Sequence, residues 1–249
     1  VVSEEHPRYS SLTIRDKLVE GYKQGIVSTH GLIAHGRGEA FDYLLGEKTN
    51  EIALNASKVA CAFLLTAKRP VLSVNGNTAA LAAKEIAEFN VITRIPVEIN
   101  LFHRSRERIE TIAHHLQSHG VENILMGLDF IEVQDIASQR AKVDKRGIYQ
   151  ADTVLAPLED GDRAQALTQL GKIVLTVDLN PLSRTALTST VTIVDELTRA
   201  MKNLVALAKY FKTTDDLNEL TMLKTSFDNR ENLEASYKIM LERLQSLIS

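Results

Sequence analysis

The sequence predicts an α/β protein: a mostly parallel sheet covered by helices on both faces, with further helices at each end. Three observations lead there. From Pro70 onward, short runs rich in β-branched and aliphatic residues alternate with amphipathic runs, the pattern of repeated β-α units. Residues 1–69 and 196–249 instead place apolar residues at helical spacing. The 249 residues, 44% of them hydrophobic, suffice for a sizeable core, and no repeat, low-complexity segment or Pro/Gly-rich linker divides them. The expectation is a single domain over 1–249: an N-terminal helical part (1–69), a Rossmann-like core (70–195) and C-terminal helices (196–249).

In chain order, Ser10–Gln24 reads as a helix ended by Gly25, the usual residue for a left-handed C-terminal cap. Its stripe is Ile14, Leu18, Val19, Tyr22 and Ile26, with Arg15 near the middle. A guanidinium facing a core needs a carboxylate or phosphate partner, because an unpaired buried charge costs several kcal/mol. Gly31–Glu47 follows as GLIAHGRGEAFDYLLGE, read as a glycine-rich turn leading into a helix-like run over Glu39–Leu45. Gly31, Gly36 and Gly38 beside Arg37 and a helix N-terminus suit an anion, most simply phosphate; a plain turn with a solvated arginine is the alternative. Thr49–Thr66 reads as a second helical region.

The core then runs Pro70–Asn75 (strand), Thr78–Asn90 (helix), Val97–Phe102 (strand), Ser105–His119 (helix) and Asn123–Gly127 (strand). After an irregular stretch, Leu128–Gln150, it continues with Asp152–Pro157 (strand), Gly161–Leu170 (helix), Lys172–Asp178 (strand) and Val191–Val194 (strand). Helices over Asp195–Phe211, Asp215–Thr225 and Glu231–Ile248 complete the chain, the last with an apolar stripe of Leu233, Tyr237, Met240, Leu241, Leu244, Leu247 and Ile248. That stripe fits packing on the sheet or on a partner subunit.

Charge and composition exclude several function classes. A formal net charge of −3 offers no general attraction to nucleic acid, so any basic site is local. No apolar run approaches the roughly 18 residues of a membrane span, no signal-peptide pattern opens the chain, and the single cysteine excludes an internal disulfide and a cysteine-rich zinc site. A cytoplasmic protein is expected. Cys61, in an alanine-rich helix, reads as core. His114, His115 and His119 do not suggest a metal, because adjacent helical residues diverge by about 100°.

In sheets of this kind ligands gather at the carboxyl ends of the strands. Those positions here are strongly polar: Asn75–Asn77, Asn100, His103, Gly127, Glu159–Asp162, Asp178 and Asn180. VNGN at Val74–Asn77 joins a strand to a helix with Asn77 as the expected N-cap, fitting a phosphate, a carboxylate or an ordinary turn. PLEDGDR at Pro157–Arg163 sets Asp160 and Asp162 where hard oxygen ligands could hold Mg2+, or cap a helix. Leu128–Gln150 carries Arg140, Lys142, Lys145 and Arg146, a basic loop able to close on an anion. No GxxxxGK[ST] or GxGxxG is present, which disfavours a P-loop kinase and a simple dinucleotide dehydrogenase. The residues alone support nucleotide or phosphate binding; a NAD(P)-dependent oxidoreductase and a non-catalytic nucleotide-sensing module are the competing classes.

HPRY (His6–Tyr9), RDKL (Arg15–Leu18), AHGRGEAFDYLLGE (Ala34–Glu47), VNGN and VDLNPLSR (Val177–Arg184) together resemble the archaeal-type phosphopantothenate synthetases, the 4-phosphopantoate–beta-alanine ligases. The resemblance runs from about His6 to Asp195. It implies condensation of 4-phosphopantoate with beta-alanine at the expense of ATP, through an acyl-adenylate with release of AMP and diphosphate, in coenzyme A synthesis. It implies ATP contacts at Arg15, Asp178, Leu179, Asn180, Arg184 and Thr185, and a further one where an amide is expected but Glu196 and Leu197 stand. Arg37 and Arg184 become the candidates for stabilising phosphate charge, with Arg15 holding phosphates and His35 a candidate base. Asn77, Arg104 and Lys142 become candidates for the substrate phosphate, and AKVD (Ala141–Asp144) fits the family pattern. A homodimer is expected from the same resemblance.

Overall fold

The computed structural model describes residues 3–6, 8–134, 136 and 138–248. Pro7 of the HPRY motif, and Asp135 and Ala137 of the irregular stretch, lie outside the described residues. Three helices open the chain: α1 (Tyr9–Lys23), α2 (Thr29–Leu45) and α3 (Glu51–Thr66). The core alternates β1 (Pro70–Val74), α4 (Gly76–Thr93), β2 (Val97–Ile99), α5 (Arg106–Ser118) and β3 (Ile124–Leu125). A hairpin of β4 (Phe130–Glu132) and β5 (Lys142–Asp144) intervenes, then β6 (Thr153–Leu155), α6 (Gly161–Gln169), β7 (Ile173–Val177), α7 (Arg184–Thr188) and β8 (Val191–Ile193). Helices α8 (Leu197–Thr214), α9 (Leu217–Thr225) and α10 (Asn229–Ser246) follow.

Six strands form one parallel sheet in the order β3-β2-β1-β6-β7-β8, the doubly wound order of a Rossmann sheet with its switch point between β1 and β6. Alternation along the strands feeds two cores. Leu72, Leu155, Leu175 and Val177 face the layer containing α3, α4, α5 and α8. Val71, Val154, Ala156 and Val174 face α6 and the segment carrying Val143 and Ile148. The strands are buried on both sides almost throughout, so they read as mainly aliphatic runs, interrupted by the buried polar residues Ser73, Glu98, Thr153, Thr176 and Thr192.

The fold class and the strand and helix succession agree with expectation, and four details differ. Gly31–Gly38 is not a turn: α2 starts at Thr29, capped by Ser28 Oγ accepting the Gly31 N–H at 3.3 Å, and runs through all three glycines. Arg37 therefore stands within a helix rather than at its N-terminus. The stretch after Leu128 is not wholly irregular, since β4 and β5 pair antiparallel with Ile131 opposite Val143. The stripe of α1 is only partly buried: Ile14 and Leu18 are core, whereas Val19 and Tyr22 are 46% exposed. The α10 stripe divides likewise, with Leu233 and Met240 buried and Leu241, Leu244, Leu247 and Ile248 exposed.

Candidate active site

The carboxyl edge of the sheet is roofed by α1 and α2. Over the β7 and β8 ends, a cavity of about 40 Å3 is lined by Ile14 from α1, His35, Glu39 and Asp42 from α2, and Leu179, Glu196 and Arg199 from below. Thus His35, Leu179 and Glu196, expected separately, meet in one place. Arg15 joins them through Glu39: its Nε and Nη2 donate to the Glu39 carboxylate at 2.8–3.0 Å, and Tyr43 OH donates to the same group at 3.0 Å. The partner of Arg15 is thus a carboxylate, and the arginine is 42% exposed rather than sunk in the apolar stripe. Burial lowers the His35 pKa against the opposing pull of Glu39 and Glu196, so its imidazole is neutral at neutral pH. Arg199 braces the floor, donating to Asp42 and Asp195, while Thr49 donates to Asp195 at 2.6 Å.

The β7 loop organises itself. Asp178 accepts the Asn180 N–H at 2.9 Å and the Ser183 hydroxyl, and Asn180 Oδ1 accepts the Leu182 N–H at 3.0 Å. Burial raises the Asp178 pKa; those hydrogen bonds and the positive charge of Arg37 oppose the rise. Helix α10 holds the loop from outside, where Tyr237 OH donates to the Pro181 carbonyl. Arg184 is exposed, its aliphatic stem lying on Gly161, where any side chain would overlap it. Thr185 is buried and donates to the Glu159 carbonyl at 2.8 Å, so its hydroxyl is committed to the protein. Among the described residues neither Arg37 nor Arg184 makes an ion pair; both are exposed cations beside the Asp178–Asn180 loop. Glu196 is the N-cap of α8, accepting the Thr198 N–H at 2.8 Å and the Arg199 N–H at 3.2 Å, which occupies its carboxylate. Leu197 begins that helix and is buried.

The second half lies at the β1, β2 and β3 ends. Asn75, not Asn77, caps α4, accepting the Thr78 N–H at 3.0 Å while its amide donates to the Pro157 and Leu158 carbonyls across the switch point. Asn77 instead donates to the Gly31 carbonyl at 2.8 Å, and Gly31 is required there because a Cβ would overlap the Asn77 side chain. Gly76 is covered by the Ile26 carbonyl and Arg108. The first β-α turn, where a dinucleotide fold receives its pyrophosphate, is therefore filled by protein, which counts against the oxidoreductase class.

Arg104 and Lys142 converge on Phe130, 6.0 and 5.1 Å from its ring centre. Arg104 also donates to the Met126 and Gly127 carbonyls at 3.2 and 2.6 Å, leaving its buried Nη1 without a partner. A buried donor with no acceptor, beside a lysine, fits an anionic ligand. Arg108 lies nearby, donating to the Ile26 and His103 carbonyls. Glu39 and Arg108 were missed in the sequence because their partners lie far along the chain, and Asn100, singled out there as a polar strand-end position, instead donates to the Arg140 and Lys142 carbonyls.

The acidic turn does not form a metal cage. Glu159 is clamped between Arg140 and Arg163, and Asp160 Oδ2 lies 2.9 Å from Arg140 Nε. Among the described residues no group of three or more His, Cys, Asp or Glu is placed to hold a metal. Asp160 is thus paired with Arg140, while Asp162 lies in the first turn of α6 with no second carboxylate among the described residues free to join it, so the turn does not fit a protein-held Mg2+. Cys61 is buried, its thiol pushed up to about 12 by burial, and is inert core. No described helix is long and apolar enough to cross a membrane.

With this geometry in place, comparison with known proteins is specific. Residues 52–243 match the family described as phosphopantothenate/pantothenate synthetase. The chain is 48% identical over 248 residues to the 4-phosphopantoate–beta-alanine ligase of Methanospirillum hungatei JF-1, covering 100% of both chains. It is 45% identical over 246 residues to the ligase of that name from Methanosarcina mazei, covering 99% of this chain and 96% of the other. To that of Thermococcus kodakarensis it is 45% identical over 247 residues, covering 99% and 94%. The likeness extends through the C-terminal helices, beyond the His6–Asp195 span over which the motifs are found.

Proposed function

The chain belongs to the phosphopantothenate/pantothenate synthetase family, and from that premise we propose a function and a division of labour for its site. It is a 4-phosphopantoate–beta-alanine ligase, an enzyme joining the carboxyl group of 4-phosphopantoate to the amine of beta-alanine to give 4'-phosphopantothenate, in coenzyme A synthesis. An amine does not attack a carboxylate at a useful rate until one oxygen has become a leaving group. ATP is the co-substrate that supplies one: a carboxylate oxygen attacks the α-phosphorus, diphosphate departs, and the amine then displaces AMP from the acyl-adenylate. The observation that carries this reading is the pair of exposed, ion-pair-free arginines, Arg37 and Arg184, flanking the Asp178–Asn180 loop.

In that reading Arg37 and Arg184 neutralise charge growing on the α-phosphate and the departing diphosphate. Arg15, with two nitrogens held by Glu39, offers its remaining Nη1 to a phosphate. Leu179 and the backbone of Asn180 bound the nucleotide, with Thr185, Glu196 and Leu197 shaping its walls. Arg104 and Lys142, over Phe130, take the phosphate of 4-phosphopantoate, and Asn77 fixes the α2 roof through Gly31. His35, held neutral by burial, accepts the proton that beta-alanine must lose before its amine attacks. No step is assigned to a protein-held metal; any Mg2+ enters with the nucleotide phosphates. We read the assembly as a cytoplasmic homodimer, supported by the exposed apolar end of α10.

The test is to supply ATP, Mg2+, 4-phosphopantoate and beta-alanine, omit each in turn, and identify the nucleotide product. AMP and diphosphate formed only with both organic substrates present is the expected result. ADP would overturn the adenylate route, and ATP binding without turnover would favour the sensing module. Sedimentation of the wild-type chain and of Leu244→Glu tests the dimer, which the substitution should weaken.

A further inference from the structure

The two halves of the site are built on different pieces of chain, yet adenylation needs the substrate carboxylate in line with the α-phosphorus, at about 3–3.5 Å. One buried side chain spans the gap. Arg140 lies in the short 3-10 turn Gln139–Ala141, directly before Lys142, and its side chain is 7% exposed. Its guanidinium pairs with Glu159, and its Nε lies 2.9 Å from Asp160 Oδ2, an ion pair without hydrogen-bond alignment. Glu159 is tied in turn to the nucleotide side: its carboxylate accepts the Asp160 N–H at 2.8 Å and its carbonyl accepts the Thr185 hydroxyl at 2.8 Å, one residue from Arg184. The backbone of Arg140 is tied to the substrate side. Asn100 Nδ2 donates to the carbonyls of Arg140 and Lys142 at 3.4 and 3.1 Å, which fixes the strand that aims Lys142 at Phe130.

Resting on the functional reading above, we propose that Arg140 is a positioning residue that locks the substrate-side hairpin to the nucleotide-side turn and so sets the distance between the two reactants. Buried ion pairs contribute little net stability relative to well-packed apolar residues, because desolvation offsets their attraction. What a planar, two-sided guanidinium adds is a fixed relative orientation of Glu159 and Asp160 against the hairpin. An offset of about 1 Å between reacting groups costs on the order of 100-fold in rate.

Arg140→Lys keeps the charge and loses the two-sided reach; Glu159 variants are unsuitable because they would strand Arg140 and Arg163 in the core. In Arg140→Lys we expect Kd for ATP alone and for 4-phosphopantoate alone within about threefold of wild type, and kcat reduced roughly 30- to 100-fold. Any tightening of one substrate by the other should be lost. Asp160→Asn is the second variant, cutting one contact in a partly exposed position, with a kcat loss of roughly 3- to 10-fold expected from the same cause. Loss of affinity for a single substrate at unchanged kcat would make Arg140 a direct contact and overturn the proposal. So would wild-type kinetics in Arg140→Lys or, should that variant fail to fold, in Asp160→Asn. Absence of turnover in the wild-type chain would instead remove the functional reading itself, a separate result.

Discussion

Arg37 and Arg184 stand exposed without ion-pair partners, so replacing either should leave the fold intact and strike the chemistry. Removing one donor aimed at charge developing in a transition state costs about 10²- to 10³-fold in kcat. Arg37→Ala and Arg184→Ala are each expected to lose on that order, with circular dichroism and melting temperature unchanged; parent-like turnover in both would dismiss the anion site. Glu98 illustrates the opposite kind of residue. It is fully buried on β2, faces the hairpin, and accepts the Asp144 and Ile148 N–H groups at 3.0 and 2.6 Å. Burial raises its pKa from 4.5 to about 7, with those two hydrogen bonds and Arg163 partly offsetting the rise. Between those values the folded state holds a proton that the unfolded chain has released, so stability falls as pH rises through the window, by roughly 3 kcal/mol in all. Denaturant titrations from pH 4.5 to 7.5 should show that decline in wild type and a flatter curve in Glu98→Gln; parallel curves would mean Glu98 is ionised throughout. At this scale the sequence is legible where a residue's role is local. Asp178, Asn180 and Arg184 follow a strand end and could be picked out. Arg140 could be picked out only as one charge of a basic loop, not as the partner of Glu159, and Glu98 was passed over although a lone carboxylate inside the apolar strand Val97–Ile99 is a signal that was available.

Among the elements, α2 is the instructive case. Its three glycines within eight residues read as a loop, because glycine costs about 0.5–1 kcal/mol per helical position relative to alanine. The helix forms nonetheless, through contacts that no local window contains. Ser28 caps it, Gly31 fits against Asn77, Glu39 binds Arg15, and Asp42 binds Arg199 from α8. By contrast α1, α3 and the core strands were legible because their periodicity and end signals lie within each segment. Gly36 and Gly38 have no neighbouring atoms where a Cβ would stand. Gly36→Ala and Gly38→Ala should therefore each stabilise the protein, by about 0.5–1 kcal/mol. In melting temperature that is roughly 1–4 °C for a chain of this size. A decrease would contradict a regular helix here. The same variants report on the nucleotide: ATP affinity that weakens as stability rises would mean the bare glycine face is where the ligand lies against α2.

For the whole molecule, the six-stranded sheet is a rigid platform and the site's two sides are mounted on it differently. The side proposed for the nucleotide sits between the β7 and β8 loops and the α1–α2 roof, whereas the side proposed for 4-phosphopantoate depends on β4 and β5, a two-stranded ribbon outside the main sheet. Such a ribbon is marginal alone and draws its order from what grips it. Here the grip comes from Glu98, Asn100 and Arg140 beneath the β5 side. Amide hydrogen exchange should therefore divide the hairpin. The Asp144 and Ile148 amides, bonded to Glu98, should be protected almost as well as β1, β6 and β7, while those of Phe130–Glu132 and Asp129 exchange early. Adding 4-phosphopantoate should slow exchange across β4 and around Gly127, where Arg104 and Lys142 converge, with little change in α1 or α2. Adding ATP should slow Asp178–Thr185 and the roof. Interchanged patterns would exchange the assignments of the two anion sites, and uniform slowing with either ligand would mean that the two sides do not exist as separate parts.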